Sequence, residues 1–378
     1  MDVTDVYIVG ACRTAIGEYE GSLAGVPAPD LAALVIREAI SRASLSPADI
    51  EEVMLGNVVG TGLGLCPARQ AALKAGIPEE VPALDVGMAC ASSLRAVALG
   101  TEAIRRGDRA IVAAAGAENM SRIPREPEDL LVRDGLTCPI GDEHMGMTAE
   151  RLADDFGIGR GEQDEFAYQS HMRAVGARGN FSREIVPVTV TTGDGTKEFA
   201  IDERPRPDTS VEKLAGLKPV FRENGTVTAG NASGVNDGAA AVVLASAAEA
   251  DARGLSPLAR ITGWAVAGVD PARMGLGPVP ATRKLCAKLG MSVSDFDLVE
   301  LNEAFAVQAL AVIRELGLDI EHTNVRGGAV ALGHPLGCTG ARILVTLVHA
   351  MRDRSARRGL ATLCIGSGMG MALAAELP

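Results

Sequence analysis

Four polar side chains in this 378-residue chain stand in settings suited to nucleophilic and acid–base chemistry. Cys90 lies in Val86-Gly87-Met88-Ala89-Cys90-Ala91-Ser92-Ser93-Leu94, a small-residue turn that runs into an amphipathic pattern. That order sets the thiol at a helix N-terminus, where the dipole and free N–H groups lower its pKa and can hold an oxyanion. A lone cysteine is also, and more often, simply buried. His334 sits in RGGAVALGHPLGCTG, Arg326 to Gly340, just ahead of a helix expected at Ala341–Met351. Its glycines allow a ligand or another backbone to approach; a polar residue satisfied within a turn is the plainer alternative. Asn302 follows an apolar strand pattern at Leu298–Leu301, where a helix N-cap is the ordinary reading. Cys364 closes another buried strand pattern, a common place for a packing cysteine. Gly366-Ser367-Gly368 just beyond it can supply free backbone donors.

Other chemistries find no template. C-x-x-C, H-E-x-x-H and clustered histidines are missing, so a metal site is unsupported. The Gly366–Gly370 run leaves too little chain for a dinucleotide-binding βαβ unit, and Gly60-Thr61-Gly62-Leu63-Gly64 has the wrong spacing. No G-x-S-x-G elbow occurs. A net charge of −12 speaks against general nucleic-acid binding. The longest uncharged stretch, the 17 residues Gly359–Ala375, is short and glycine-broken for a membrane span. The start, MDVTDVYIVG, is neither signal-like nor transit-like. Seven cysteines, an odd number thinly spread, do not build a disulfide framework. What remains is a soluble α/β protein of a reducing compartment, expected in the cytoplasm.

The elements that must position these residues alternate along the chain. Strand patterns at Val3–Val9, Val53–Val59 and Ala110–Ala115 alternate with helical ones at Leu31–Ile40 and Ser92–Arg105, which points to helices over mostly parallel, buried sheets. The core must be built from small aliphatic residues, since only 3% are aromatic and 44 are glycine. A repeat is visible. LSPADIEEVMLGN from Leu45 matches MSVSDFDLVELNE from Met291, and RRGDRAIVAAAGAE from Arg105 matches RRGLATLCIGSGMG from Arg357. Similar offsets at two places indicate a duplicated α/β unit. Between the halves the texture changes, with charged helical runs at His144–Phe156 and Arg160–Arg178, a hairpin-like Val188–Lys197 and a Pro/Arg turn at Arg204–Pro207. This reads as an inserted loop domain, 120–235, where specificity usually resides. The first half would comprise 1–119 and 236–256, the second 257–378.

In combination, CASSLRAVALG from Cys90, NEAF at Asn302–Phe305, GGAVALGHPLGCTGAR from Gly327 and CIGSGMG from Cys364 resemble the thiolase family. GTVTAGNASGVNDGAA from Gly225 and HMGMTAE from His144 fit as well, so the resemblance spans essentially the whole chain. It implies a five-layered αβαβα fold of two similar halves, with a loop domain over the site. It implies reversible acyl transfer with a Claisen step, two acetyl-CoA giving acetoacetyl-CoA and CoA, and no cofactor, coenzyme A being substrate and product.

By the same resemblance Cys90 is the nucleophile that carries the acetyl group, and His334 is the histidine that activates it. Cys364 exchanges the α-proton. Asn302 holds a water that joins His334 in a hole for the enolate oxygen, and the N–H groups of Cys90 and Gly366 form a second hole. Ser233 matches a serine that contacts the pantetheine arm, and Ala229 belongs to the CoA-binding set. His144, Met145, Phe221, Met274 and Phe305 match the thioester pocket, and Arg206 lies beside the adenine nucleotide. Anionic CoA needs a basic patch, for which Arg206, Lys213, Lys218 and Arg222 are candidates. A homodimer, or a homotetramer built from two dimers, is implied.

Two departures bear on chain-length preference. Ser93 stands where glycine is common, altering the room beside the nucleophile, and the lid segment Cys138–Glu143 is acidic and carries a proline. They keep a 3-ketoacyl-CoA thiolase of fatty-acid or aromatic-acid breakdown as the runner-up. A decarboxylating ketoacyl synthase would place a histidine at Asn302 and lack Cys364. A catalytically dead CoA-binding protein would not need all four residues.

Overall fold

In the computed structural model, which describes residues 4–193 and 195–378, the apolar runs become nine strands of one mixed sheet. They are β1 (Val6–Thr14), β2 (Glu52–Gly56), β3 (Ala83–Val86), β4 (Ile111–Asn119), β5 (Asn236–Ser246), β6 (Ala259–Gly268), β7 (Leu298–Leu301), β8 (Arg358–Ile365) and β9 (Met369–Glu376). Their order is β7-β8-β9-β6-β1-β5-β4-β2-β3, with two short strands off this path. The two halves meet where β1 pairs β6 over only Tyr7↔Arg260 and Ile8↔Ala259.

Pairing corrects the expectation of mostly parallel strands. Only β2 with β3, β2 with β4 and β7 with β8 run parallel on this path. β1, β5, β6 and β9 pair antiparallel with every neighbour in it. Strands covered on both faces are apolar throughout, so residue pattern carries no mark of direction.

Seven helices matter here: α1 (Ala28–Arg42), α2 (Ser92–Arg106), α3 (Met145–Phe156), α4 (Arg160–Gly176), α5 (Pro278–Leu289), α6 (Ala306–Leu316) and α7 (Leu336–Arg354). Helix α1 covers one outer face, on β1, β4 and β5. Helices α2 and α7 pack on each other between the halves, and α5 covers the other outer face on β6 and β9. The result is αβαβα. Three apolar clusters fill it, one under α1, one around α2 and α7, and one under α5 and α6.

The repeat is physical. Before β2 the Asp49 carboxylate accepts the Ser46 N–H at 2.7 Å, and before β7 Asp295 accepts the Ser292 N–H at 2.8 Å. Each closes a single 3₁₀ turn, Pro47–Asp49 or Val293–Asp295, that feeds its strand. Residues 120–235 hold α3, α4 and an antiparallel pair, Val188–Thr192 with Gly195–Phe199; Asp194 in the expected hairpin lies outside the described residues. No helix among the described residues is long and apolar enough to cross a membrane.

Candidate active site

Cys90 sits in a 3₁₀ turn, Ala89–Ala91, that runs directly into α2. Ala89 before it holds φ at 42°, a conformation that costs free energy for any residue with a Cβ. Ser92 stabilises this turn: its Oγ donates to the Ala89 carbonyl at 2.7 Å and accepts the Met88 N–H at 2.8 Å. The expected lowering of the thiol pKa does not occur. Burial pushes Cys90 up to about 11, outweighing the N–H groups of Gly366 and Cys90 itself that pull it down, while Glu118 adds to the rise. At Cys90 the partial charges of the helix end do not offset the loss of water around an anion. A resting thiol therefore needs a base.

His334 is the candidate. The Thr339 hydroxyl donates to the Pro335 carbonyl at 2.8 Å, so toward His334 Nδ1, 2.6 Å away, its oxygen can only accept. The proton thus rests on Nδ1 and the lone pair on Nε2, which has no protein partner. Burial, then the Arg342 charge, holds His334 down to about 3, so the ring is neutral at rest. The helix behind it differs from expectation. It begins at Leu336 rather than Ala341, and glycines inside it serve close approach: a Cβ on Gly340 would meet Leu94 N at 2.5 Å.

Asn302 is not a helix cap; α6 is capped at Phe305. The Asn302 N–H donates to the Thr362 carbonyl at 2.9 Å, which fixes the backbone. Its side chain is fully buried, and neither Oδ1 nor Nδ2 meets a protein partner. Buried amides are seldom left unpaired, so the group is set to hold water or substrate. Cys364 is the last residue but one of β8, and burial, with the negative charge of a Cys90 thiolate as the next cause, drives its thiol well above the ordinary range. The following turn, Gly366-Ser367-Gly368, has Ser367 at φ 68° and leaves the Gly366 N–H aimed at Cys90.

All of these but Asn302 border one mainly apolar cavity of about 630 Å³. Cys90, His334, Cys364 and Gly366 line it, as do Ser233, His144, Met145, Phe221, Met274 and Phe305. His144 stacks on Phe221 with centroids 4.8 Å apart, and Phe221 meets Phe305 edge-on at 6.1 Å. The His144 Nδ1 accepts the Gly146 N–H at 3.0 Å, capping α3, so a neutral ring carries its proton on Nε2. Ser233 is placed by its N–H to the Ala304 carbonyl, beside the bridge between Ala232 and Phe305.

Asn302, Ala229 and Arg206 are not in the lining. Asn302 lies behind the surface, and Ala229 is exposed, its carbonyl accepting from Arg204 at 3.3 Å. Arg206 is exposed and 3.7 Å from Glu18. Of the basic candidates, Lys213 pairs with Asp208 and Arg222 with Asp154 and Glu150. Ser93 points away from the cavity; its Oγ accepts the Ala341 N–H at 2.8 Å and ties α2 to α7. Of the acidic lid only Pro139 and His144 beyond it reach the lining, while Glu143 is held by Arg151 at 2.9 Å.

Two supporting residues escaped sequence reasoning. Thr339 was visible as a hydroxyl five places after His334. Glu118, buried, accepts N–H bonds from Val58, Val59, Gly337 and the Asn57 amide, and so fixes the start of α7 against the first half. An acidic residue ending an apolar strand was its only signal.

Comparison with known proteins matches residues 6–248 to the thiolase N-terminal domain and 255–377 to the thiolase C-terminal domain. The chain belongs to the thiolase family. An acetyl-CoA acetyltransferase of Pseudomonas aeruginosa is 52% identical over 386 residues, covering 98% of each chain. The crystal structure of the Bacillus anthracis acetyl-CoA acetyltransferase superposes with a TM-score of 0.96 at 44% identity, covering 100% of this thiolase and 99% of that chain. Human mitochondrial 3-ketoacyl-CoA thiolase in complex with CoA gives 0.95 at 41%, covering 99% and 98%. The thiolase is thus an acyltransferase with the five-layered fold of its relatives.

Proposed function

We propose that this thiolase is an acetyl-CoA C-acetyltransferase that works through an acetyl-cysteine. The observation that carries the reading is the convergence of Cys90, His334, Cys364 and the Gly366 N–H on one cavity, with His334 Nε2 bare. The names of its relatives supply the acetyl-CoA.

His334 Nε2 takes the Cys90 proton as sulfur attacks the thioester carbonyl, and returns it to the departing CoA sulfur. Charge on the tetrahedral oxygen falls to the Cys90 and Gly366 N–H groups. In the second half-reaction Cys364 exchanges a proton with the α-carbon of the next acetyl-CoA. The burial that raises its pKa favours the protonated form, the state required of an acid in the cleavage direction. His334 and water on Asn302 stabilise the enolate oxygen. The two half-reactions place negative charge on different oxygens, so two holes serve them.

Residues 120–235 act as the CoA-binding lid between halves 1–119 with 236–256 and 257–378, and Ser233, Ala229, His144 and Arg206 contact CoA. The protein works in the cytoplasm, in acyl-CoA metabolism, without a resident cofactor. A second copy pairs on the edge beside β3, where Leu84 is exposed and Leu65 in the preceding loop is 93% exposed.

A 3-ketoacyl-CoA thiolase is the second reading, favoured by Val58, Met120, Leu136 and Leu336, which form an apolar wall against Cys90. Thiolysis of acetoacetyl-, 3-ketohexanoyl- and 3-ketooctanoyl-CoA by the purified protein decides between them. The highest kcat/KM is expected with acetoacetyl-CoA; a strong preference for the longer chains replaces the first reading with the second.

A further inference from the structure

Arg342 lies on α7 in the middle layer, 1% exposed. Its ion-pair partner among the described residues is Glu300 on β7, with Nη1 and Oε2 3.6 Å apart, too far for a hydrogen bond. Nε, Nη1 and Nη2 meet no acceptor of the protein, and Glu300 Oε2 meets no donor. The same layer satisfies a buried guanidinium elsewhere. Arg13 bonds Glu184 at 2.6 Å and Asp202 at 2.7 and 3.0 Å. Glu184 is not free to serve Arg342 as well, since it also takes Arg326 at 3.2 Å and the Thr346 hydroxyl at 3.0 Å.

Strand alternation relates this pair to the active site. Leu298 packs in the central cluster, while Val299 and Leu301 pack in the outer one. Glu300 and Asn302 therefore share the face turned to α7. The Asn302 amide on that face is also unpartnered. A buried guanidinium with no hydrogen bonds is too costly to persist, and internal water is the usual remedy where polar groups face one another.

We propose that Glu300 and Arg342 hold a file of internal water ending at Asn302, and that Arg342 orients it toward the enolate oxygen. The guanidinium only donates, so each water turns its oxygen to Arg342 and its protons away. The file then presents a proton donor at Asn302, preorganised before negative charge develops. Arg342 is a positioning residue, acting through water and Asn302, and this role rests on the acyl-transfer reading above.

Two readouts separate it from a merely structural one. The first is the +42 Da adduct on Cys90 after mixing with acetyl-CoA; the second is deuterium wash-in from D2O to the acetyl-CoA methyl group. Removing Glu300 alone would strand the buried Arg342 charge, so Arg342→Met is combined with Glu300→Gln. The double variant is expected to lose wash-in by at least about tenfold more than it loses acetylation. Arg342→Lys, which keeps the charge beside Glu300, should recover wash-in to within about threefold of the parent. Parental wash-in in the double variant, equal loss of both readouts, or no recovery with lysine overturns the proposal. An unmodified Cys90 in the parent protein would instead sink the acyl-transfer reading itself.

Discussion

Strands β2 and β7 occupy matching places in the two halves, each fed by the same Ser–Asp capped turn, yet they present opposite chemistry to the middle layer. By the repeat, Met54 corresponds to Glu300 and Gly56 to Asn302. Met54 joins the central apolar cluster, and Gly56 lies so close to α2 that a Cβ would meet Ser93 N at 2.3 Å. In the second half the same two places carry a buried carboxyl and a buried amide. One copy thus packs tightly behind the proposed nucleophile and holds Cys90 in place. The other keeps a polar space in which charge can develop. Duplication supplied two equivalent positions, and the difference between them divides rigidity from electrostatics.

Making the second half like the first should have the largest effect. Asn302→Gly removes the amide behind the enolate hole and is expected to cut acetoacetyl-CoA synthesis by about 10²–10³ while Cys90 still acetylates. Single-turnover mass spectrometry alongside the steady-state assay checks this, and equal loss in both would erase the contrast. The reciprocal change acts on stability. Gly56→Ala forces α2 from the sheet and should cost about 1–3 kcal/mol, seen as a lower urea midpoint. An unchanged midpoint would mean that the close approach is not needed.

Thr339 sharpens the comparison at the helix starts. Thr339→Val frees the His334 tautomer and should slow Cys90 acetylation roughly tenfold, and Thr339→Ser should restore it. Failure of serine to rescue would assign the loss to packing. The smallest expected effect is on pH dependence. Neutral Cys90 and neutral His334 are the majority forms between about 3 and about 11. Protonating His334 would lower the rate only far below neutrality, and ionising Cys90 would raise it only far above. The acetylation rate should therefore be level from pH 6 to 9. A titration step within that range would show an ion pair at rest.

The catalytic candidates could be read from the chain because cysteine, histidine and asparagine are conspicuous among alanines and glycines. The two halves were equally visible, through the repeat at Ser46–Asp49 and Ser292–Asp295. Strand direction was not, since burial of β1, β5 and β9 along most of their length erases the pattern that would mark it. The early start of α7 was hidden by Gly337 and Gly340, which suggest loop but in fact permit close packing. That misplacement concealed Thr339, whose role depends on one helical turn of geometry. The state of Cys90 was misjudged because burial, the dominant cause, has no local sequence mark. Arg342 looks like any helical arginine until its surroundings are seen.

Division of labour between the two thiols is the central claim, and intact-mass analysis after mixing with acetyl-CoA tests it directly. The parent protein and Cys364→Ala should each gain 42 Da at Cys90, Cys90→Ala should gain nothing, and Cys364→Ala should make no acetoacetyl-CoA. An adduct that persists in Cys90→Ala, or acetoacetyl-CoA made by Cys364→Ala, would contradict it.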